Sequence, residues 1–314
     1  MQNKNKVAKN AGHGTLGLTL LLLVLSLGTQ TPSSAQFSPP NMDWNYINTT
    51  TFEKSTFQGE NYVQLLAQSM ESKLQKGAAI LELTSTLPEV KNISYANMLN
   101  NTIEQLKGIP QNADIPKRQV AKDILEKYDE FQVVFFVMPN GDMYMEEPYL
   151  RQENLSKTNF AFRDYYKGVI NSHDTFLGNV IVSASSGQNQ AVIAVPIFSG
   201  VNGSLIGIWA GGLDLNDFNE DLQLLNLTNN ERIVYVDNLG QIVADSEEQL
   251  SHQNKSIASL QGFKNAINGK SGTIKEIVNG TEMLVSYHPI RALSNNWAVL
   301  LIQPYHGISV SPSN

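Results

Sequence analysis

Cysteine is absent from this sequence of 314 residues, and only 16% of its side chains are charged. Without a thiol, the chain can form no disulfide, no thiolate nucleophile and no cysteine-ligated zinc or iron–sulfur site. The charge that is present is mainly acidic, with 29 Asp and Glu against 22 Lys and Arg. Because binding to a nucleic-acid backbone needs clustered cations, this balance argues against a nucleic-acid partner.

Histidine is also rare, and the five that occur are scattered along the chain. Their spacing matches no zinc-protease motif, and the nucleophile motif Gly-x-Ser-x-Gly is missing. We therefore expect no catalytic residue, no metal site and no cofactor, and we expect the protein not to be an enzyme. An extracellular hydrolase is the least favoured alternative.

Long apolar runs are limited to one, Leu16–Leu27, which follows three lysines and precedes the small residues Ser33, Ser34 and Ala35. The run is shorter than the roughly 20 residues that span a bilayer. Its order of positive, apolar and small residues is typical of a secretory signal peptide. The sequence thus predicts that residues 1–35 are a signal peptide or an N-terminal membrane anchor. Either places the rest of the chain outside the cell or at its surface.

Asparagine is abundant, and Asn-x-Ser/Thr sequons agree with export. Such sequons mark acceptor sites for glycans on exported proteins, although an Asn-rich composition also produces them by chance. They begin at Asn48, Asn92, Asn100, Asn154, Asn202, Asn226, Asn254 and Asn279.

Composition and periodicity divide the rest of the chain into five segments. A stripe of apolar residues at helical spacing predicts a long helix from about Phe57 to Leu83. This stripe either supports a homodimer or packs against the chain's own sheets. The segments are a linker over 36–56, a helical lead-in over 57–128, one module over 129–226, a second over 227–305 and a tail over 306–314.

The two modules repeat one pattern. A buried strand and a turn at Pro139–Asp142 recur at Arg232–Asp237 and Asn238–Gly240, and aligning Gly240 with Gly141 sets the repeat at 99 residues. Each module reads as two strands, a helix and three more strands. We therefore predict an α+β fold, with a long N-terminal helix followed by two five-stranded antiparallel sheets with flanking helices.

The order and spacing of several motifs over residues 57–305 resemble the double Cache extracellular sensor domain, which is built from two PAS-like modules. The motifs are Val133–Met138 with its turn, Phe162-Arg-Asp-Tyr-Tyr166, Ala191–Ile197, Gly207–Leu215 and Trp297–Leu300. Domains of this kind commonly precede the signalling parts of prokaryotic chemoreceptors and sensor kinases, and the resemblance leaves an archaeal source open. The resemblance implies that the module over 129–226 is membrane-distal and binds small ligands, often amino acids, and that the module over 227–305 is membrane-proximal; they are called the distal and the proximal module below.

The resemblance also implies a ligand site in the distal module. Arg163 takes the position that grips a ligand carboxylate, and Asp214 the position that meets an ammonium group. Tyr165 and Tyr166 take the positions of two aromatic residues, with Tyr165 replacing a tryptophan. Phe176 stands where an aromatic ring with a hydroxyl is often found.

Local roles compete with these. Arg163 beside Asp164 could form an ion pair, and Asp214 could cap a helix that starts at Leu215. Adjacent tyrosines cannot face one way on a helix, and we expect Tyr166 to be the more directed to the pocket.

The sequence as a whole favours a sensor that binds an amino acid or a similar small carboxylate or amine. Its partners would be that ligand and a separate membrane receptor or kinase. The alternative is a structural envelope glycoprotein without a ligand.

Overall fold

The computed structural model describes residues 44–99, 107–200, 203–225, 227, 230–247 and 257–305. The predicted leader and tail lie outside these ranges. A helical region comes first, with helix α1 at Trp44–Ser85, α2 at Pro88–Lys91, a 3-10 turn at Ala96–Met98 and α3 at Ile115–Lys127.

Helix α1 begins at Trp44, well before the predicted start at Phe57, so the predicted linker over 36–56 ends too late. Residues 44–56 contain Asn and Thr but neither Pro nor Gly. Polar residues of this kind cost a helix less than about 1 kcal/mol each, so they do not end it. With 42 residues, α1 is about 63 Å long.

One face of α1 packs against both sheets of the molecule. The helix ends at Ser85, where the hydroxyls of Thr84, Ser85 and Thr86 donate to carbonyl oxygens of the last turn. The apolar stripe is therefore used against the chain's own sheets, which is the second of the two predicted uses. Its fully buried members are Val63, Ala67, Met70, Leu74, Ala78 and Leu81.

The distal module contains a six-stranded antiparallel sheet in the order β2-β1-β6-β5-β3, with β4 also paired to β5. Its strands are β1 (Phe131–Val137), β2 (Met143–Glu147), β3 (Phe176–Leu177), β4 (Ile181–Val182), β5 (Asn189–Phe198) and β6 (Leu205–Asp214). Its helices are α4 (Tyr149–Glu153), α5 (Asp164–Ser172) and α6 (Leu215–Gln223).

The distal sheet has six strands where the sequence predicts five, because two short strands, β3 and β4, both pair with β5. Two carboxylates accept hydrogen bonds from backbone N–H groups in the segment between β3 and β4. The N–H of Asn179 donates to Asp164 Oδ2, and the N–H of Val180 donates to Asp237 Oδ2. Those groups are therefore not available to a strand ladder, and pairing is interrupted there.

The proximal module contains a five-stranded antiparallel sheet in the order β8-β7-β11-β10-β9. Its elements are β7 (Arg232–Val236), β8 (Ile242–Asp245), α7 (Gln261–Ile267), β9 (Gly272–Val278), β10 (Thr281–Ala292) and β11 (Asn295–Pro304). The two sheet orders correspond strand by strand, with β8, β7, β11, β10 and β9 in the places of β2, β1, β6, β5 and β3. Strand β4 has no counterpart among the described strands of the proximal sheet. The α+β duplication is confirmed.

The two glycines that set the repeat are structurally equivalent. Gly141 has φ of +92° and Gly240 of +80°, a region that favours glycine. A Cβ would come within 2.6 Å of Ala161 at the first position and 2.7 Å of Ala258 at the second. The register shift between β1 and β2 also recurs between β7 and β8, at the equivalent position.

Both sheets are buried on two faces. In β1, Phe136 faces the side that packs on α1, and Phe135 faces the other side, covered by α5. The ring of Phe136 lies so close to Gly207 of β6 that a Cβ there would come within 2.1 Å of it. Strand β6 therefore needs a residue without a side chain at this position.

Two buried ion pairs lie behind the distal sheet, at the N-terminal half of α3. Arg118 Nη1 donates to Glu147 Oε1 at 2.7 Å, and Lys117 Nζ lies 3.2 Å from Asp114 Oδ2. Burial lowers the pKa of Lys117 to about 8, and the carboxylate of Asp114 opposes that shift. These groups anchor the helical region to the sheet.

Candidate ligand-binding site

A small cavity lies on the face of the distal sheet that turns away from α1. Its volume is about 20 Å³, which is room for roughly one water molecule. Apolar side chains of β1 and β2 form its floor. Polar side chains reach it from β2, the start of α5, β5 and the segment between β4 and β5: Glu146, Arg163, Tyr165, Ser183, Ser185 and Gln190.

Arg163 is the N-cap residue of α5, in an extended conformation, and it lines the cavity as half-buried. Its Nη2 donates to the carbonyl oxygen of Val182 at 2.7 Å. Its Nε is buried and has no hydrogen-bond partner among the described residues. Asp164 takes backbone N–H groups of Tyr165 and Asn179 instead of pairing with Arg163. The guanidinium therefore keeps a donor for a further partner.

Tyr165, and not Tyr166, faces the cavity, so the expectation for the two tyrosines is reversed. Tyr165 is 2% exposed, with its ring edge toward Phe135 at 5.9 Å between centroids. Burial raises the pKa of its phenol well above the usual value, so the hydroxyl stays neutral. Tyr166 donates its hydroxyl to the carbonyl oxygen of Pro139 at 2.6 Å and so supports the β1–β2 turn.

Asp214 and Phe176 do not line the cavity. Asp214 caps α6, where its Oδ1 accepts from the backbone N–H of Asn216 at 3.0 Å, so the predicted capping role is confirmed. Phe176 lies in β3, and its ring covers Gly168 of α5, where a Cβ would come within 2.4 Å. Both residues hold elements around the cavity in place.

Glu146 is a cavity residue that the sequence analysis missed. It is 3% exposed, and its Oε1 accepts from Ser185 Oγ at 2.8 Å. Burial raises the pKa of its carboxyl to about 7, although Ser185 and the positive charge of Arg151 oppose the shift. Its place opposite Phe135 in the β1–β2 hairpin points it to the cavity side, and this pairing follows from a register shift that alternation in the sequence does not show.

Gln190 and Ser183 complete the polar lining. Gln190, at the start of β5, is 6% exposed, and its Oε1 finds no partner in the described part of the chain. Ser183 Oγ accepts from the backbone N–H groups of Ser185 and Ser186. The cavity thus presents a spare donor on Arg163 and a spare acceptor on Gln190, both buried, and buried polar groups are costly without partners.

Residues 181–185, the covering segment, close the cavity through three connections. Arg163 donates to the carbonyl of Val182, and Ser185 donates to Glu146. Ser156 donates from its backbone N–H and its hydroxyl to the carbonyl of Ala184, at 2.9 and 3.0 Å. Two of the three connections therefore use the charged groups of the cavity.

Residues 177–180, just before the covering segment, contact the proximal module. Asp237, fully buried in the β7–β8 turn, accepts from the backbone N–H of Val180 at 3.0 Å. Asn295 of β11 donates to the carbonyl of Leu177 at 3.0 Å and to Asn179 Oδ1 at 3.2 Å. Burial raises the pKa of Asp237, and its three backbone donors oppose that shift. The cavity cover and the proximal module are thus joined within a few residues.

Two larger hollows have less suitable linings. A groove of about 240 Å³ runs between α1 and α6, where Lys73 and Asp221 pair with each other. A hollow of about 330 Å³ lies between the start of α6 and β8 and is lined partly by Asn216 and Asn219. The small distal cavity differs from both because buried polar groups in it remain unpaired.

Three predicted sequon residues, Asn92, Asn154 and Asn279, are exposed in the structure. Asn48 lies within α1. The others fall outside the described residues, namely Asn100, Asn202, Asn226 and Asn254. Glycosylation of any of them stays a prediction.

Over the ranges that the structure describes, no helix combines the length and the hydropathy needed to cross a bilayer. In the same ranges, no three His, Cys, Asp or Glu side chains come together as a metal site.

The Cache domain family matches residues 58–311 of the chain. Solved structures share its fold, and three of them are described here. The ligand-binding domain of the Pseudomonas fluorescens chemoreceptor CtaA, in complex with L-isoleucine, is 18% identical with a TM-score of 0.57, over 84% of this chain and 97% of that one. The ligand-binding domain of the Pseudomonas aeruginosa amino acid chemoreceptor PctC, in complex with GABA, is 20% identical with a TM-score of 0.53, over 77% and 98%.

The third is the extracellular domain of a protein described as a histidine kinase, rpHK1S-Z16, which is 13% identical with a TM-score of 0.61, over 82% and 97%. No curated protein matches the sequence. The chain belongs to the Cache domain family, in its double form with two modules. Such domains are extracellular or periplasmic ligand-sensing modules of signalling proteins.

Proposed function

We propose that this protein binds an amino acid, or a similar small carboxylate or amine, in its distal module and acts as an extracytoplasmic sensor. The observation that carries the proposal is the convergence of Arg163, Glu146 and Gln190 on one buried cavity. In that cavity a guanidinium nitrogen and an amide oxygen lack partners among the described residues. A polar ligand supplies what these groups lack.

The chemistry of each wall suits such a ligand. A guanidinium binds a carboxylate through directed, charge-assisted hydrogen bonds. The rings of Tyr165 and Phe135 offer an apolar surface beside it. Two structural neighbours were solved with L-isoleucine and with GABA, each of which carries a carboxylate and an ammonium group. That similarity of fold supports the ligand class.

Ligand entry requires the covering segment to move, because a cavity of about 20 Å³ is too small for an amino acid. Arg163 holds this segment through the carbonyl of Val182. A ligand carboxylate that takes the guanidinium would compete with that carbonyl and favour an outward position of the segment. Binding would thereby alter the contact between Val180 and Asp237 of the proximal module.

The downstream partner in this proposal is a separate membrane receptor or kinase, since related domains belong to chemoreceptors and kinases. A homodimer through α1 would have to use the helix face opposite its buried stripe, where Leu65 and Leu83 are 63% and 72% exposed. The binding role requires neither cofactor nor catalysis.

Thermal unfolding of the purified protein in the presence of the twenty L-amino acids, GABA, simple amines and carboxylates tests the proposal. A ligand at a hundredfold excess over Kd stabilises the native state by about 2.7 kcal/mol. Arg163→Ala should abolish the shift, and Lys167→Ala, at an exposed position of the same helix, should preserve it.

Each other outcome points elsewhere. No shift with any compound would favour a structural envelope glycoprotein without a ligand. A shift that persists in Arg163→Ala would refute the placement of the site. Hydrolytic activity that does not depend on Arg163 would favour an extracellular hydrolase.

A further inference from the structure

We infer that Glu146, rather than Asp214, is the acidic anchor of the distal site, and that the site is built for a ligand with both a carboxylate and an ammonium group. This inference rests on the proposed function and specifies its ligand. Arg163 binds the carboxylate of the ligand, and Glu146 binds its ammonium group.

The two acidic candidates differ in what they already bind. Asp214 receives a backbone N–H at the start of α6 and does not line the cavity. Glu146 lines the cavity, is 3% exposed and has one neutral donor, the hydroxyl of Ser185. A buried carboxylate needs a cationic partner far more than a half-buried carboxylate that caps a helix does.

The internal duplication supplies a direct comparison for Glu146. At the repeat of 99 residues its counterpart is Asp245, which faces Val234 in β7 just as Glu146 faces Phe135 in β1. Asp245 is also buried, but Arg232 binds it with two nitrogens, Nε and Nη2. The carboxylate is thus neutralised inside the proximal module.

The distal module lacks this internal cation at the same place. The counterpart of Arg232 is Val133, which lines the cavity. Arg151 contributes positive charge near Glu146, but its guanidinium donates to Gln132. A carboxylate with a bonded arginine in one copy therefore faces an open site in the other, which is where a ligand ammonium group would replace the arginine.

The same two charged groups hold the covering segment. Arg163 holds it at Val182, and Glu146 holds it at Ser185. A ligand carboxylate on Arg163 and a ligand ammonium on Glu146 displace one connection each, and only a ligand with both groups displaces both. An ion pair between the ligand ammonium group and Glu146 is also stronger than the hydrogen bond that Glu146 accepts from the hydroxyl of Ser185. A zwitterion is therefore favoured over an acid or an amine alone.

Isothermal titration of the full protein tests this. The L-amino acid that binds most tightly in the screen is titrated alongside two analogues, one without the ammonium group and one without the carboxylate. If the amino acid is L-alanine, these analogues are propionate and ethylamine. We expect Glu146→Gln to raise the Kd of the amino acid by about tenfold or more, since a charge-assisted hydrogen bond is lost. Binding of the deaminated acid should stay the same or improve, and Asp214→Asn should change the amino-acid Kd by less than about threefold.

The outcomes separate the inference from the proposal on which it rests. Amino-acid binding that Asp214→Asn abolishes and Glu146→Gln preserves would overturn the inference and leave the proposed function intact. No binding of any amino acid by the folded wild-type protein would overturn both. The analogue series on the wild-type protein tests the need for both charges without a substitution, because propionate or ethylamine binding as tightly as L-alanine would contradict a site for both charges.

Discussion

The buried carboxyl of Glu146 makes a quantitative prediction about stability and pH. Burial raises its pKa from 4.5 to about 7 in the folded protein. Between these values the native state holds a proton that the unfolded chain has already lost. Stability from this group is therefore fully present below pH 4.5 and is lost as the pH rises through 7. A shift of that size corresponds to about 3 kcal/mol.

Glu146→Gln removes the titration while keeping the shape and the bond to Ser185. We expect the variant to be more stable than wild type at pH 8, and the difference to shrink by about 2.5 kcal/mol between pH 8 and pH 5. Urea unfolding of both proteins at the two pH values measures this difference without ligand. Asp237, whose pKa is also raised, affects both proteins equally and cancels.

Parallel pH profiles for the two proteins would refute the reasoning, since they would mean that Glu146 is already neutralised by a partner or is reached by solvent. Asp245→Asn is the matched control in the proximal module. It breaks an ion pair with Arg232 and should destabilise the protein at pH 8, the opposite of the effect at Glu146.

Three further substitutions test the packing and the module contact, each by urea unfolding at pH 7. Gly207→Ala places a Cβ within 2.1 Å of an aromatic ring and should cost about 1–3 kcal/mol; an unchanged midpoint would contradict that close approach. Arg118→Ala leaves the carboxylate of Glu147 buried and unpaired and should cost about 3–5 kcal/mol; a loss below 1 kcal/mol would mean that solvent reaches the carboxylate. Asp237→Ala removes the acceptor of the Val180 N–H and should cost about 2 kcal/mol, with faster hydrogen exchange at that amide; unchanged exchange there would exclude the contact.

Much of the fold follows from local sequence signals. The duplication was predictable because Gly141 and Gly240 both need a positive φ at a tight turn, and glycine marks that need in the sequence. Strands β1, β5, β6 and β11 were predictable from continuous apolar runs, since a sheet buried on both faces has such strands.

Other features depend on contacts distant in sequence. The break between β3 and β4 arises because Asp237, in the other module, takes the N–H of Val180. The early start of α1 at Trp44 was hidden by polar residues that a helix tolerates. Neither effect leaves a local pattern.

The candidate site was predicted in part. Arg163 and Tyr165 line the cavity as the family resemblance implied. Glu146 was missed because the register shift beside Val137 decides which face of β2 it joins, and a bulge cannot be read from alternation alone. Tyr165 was ranked below Tyr166 because adjacency on a helix shows that the two side chains point in different directions but not which of them faces the sheet, and the start of α5 at Asp164 decides this.

Helix α1 has a consequence for how the molecule unfolds. Its buried face contributes to one continuous core that also contains Phe136 and Trp209 from the distal sheet and Tyr235 and Trp297 from the proximal sheet. If the helix separates from one sheet, apolar surface of the core that it shares with the other sheet is exposed as well. The two modules are therefore expected to share a single cooperative transition, so that an event which loosens one is felt as a change in the stability of the whole.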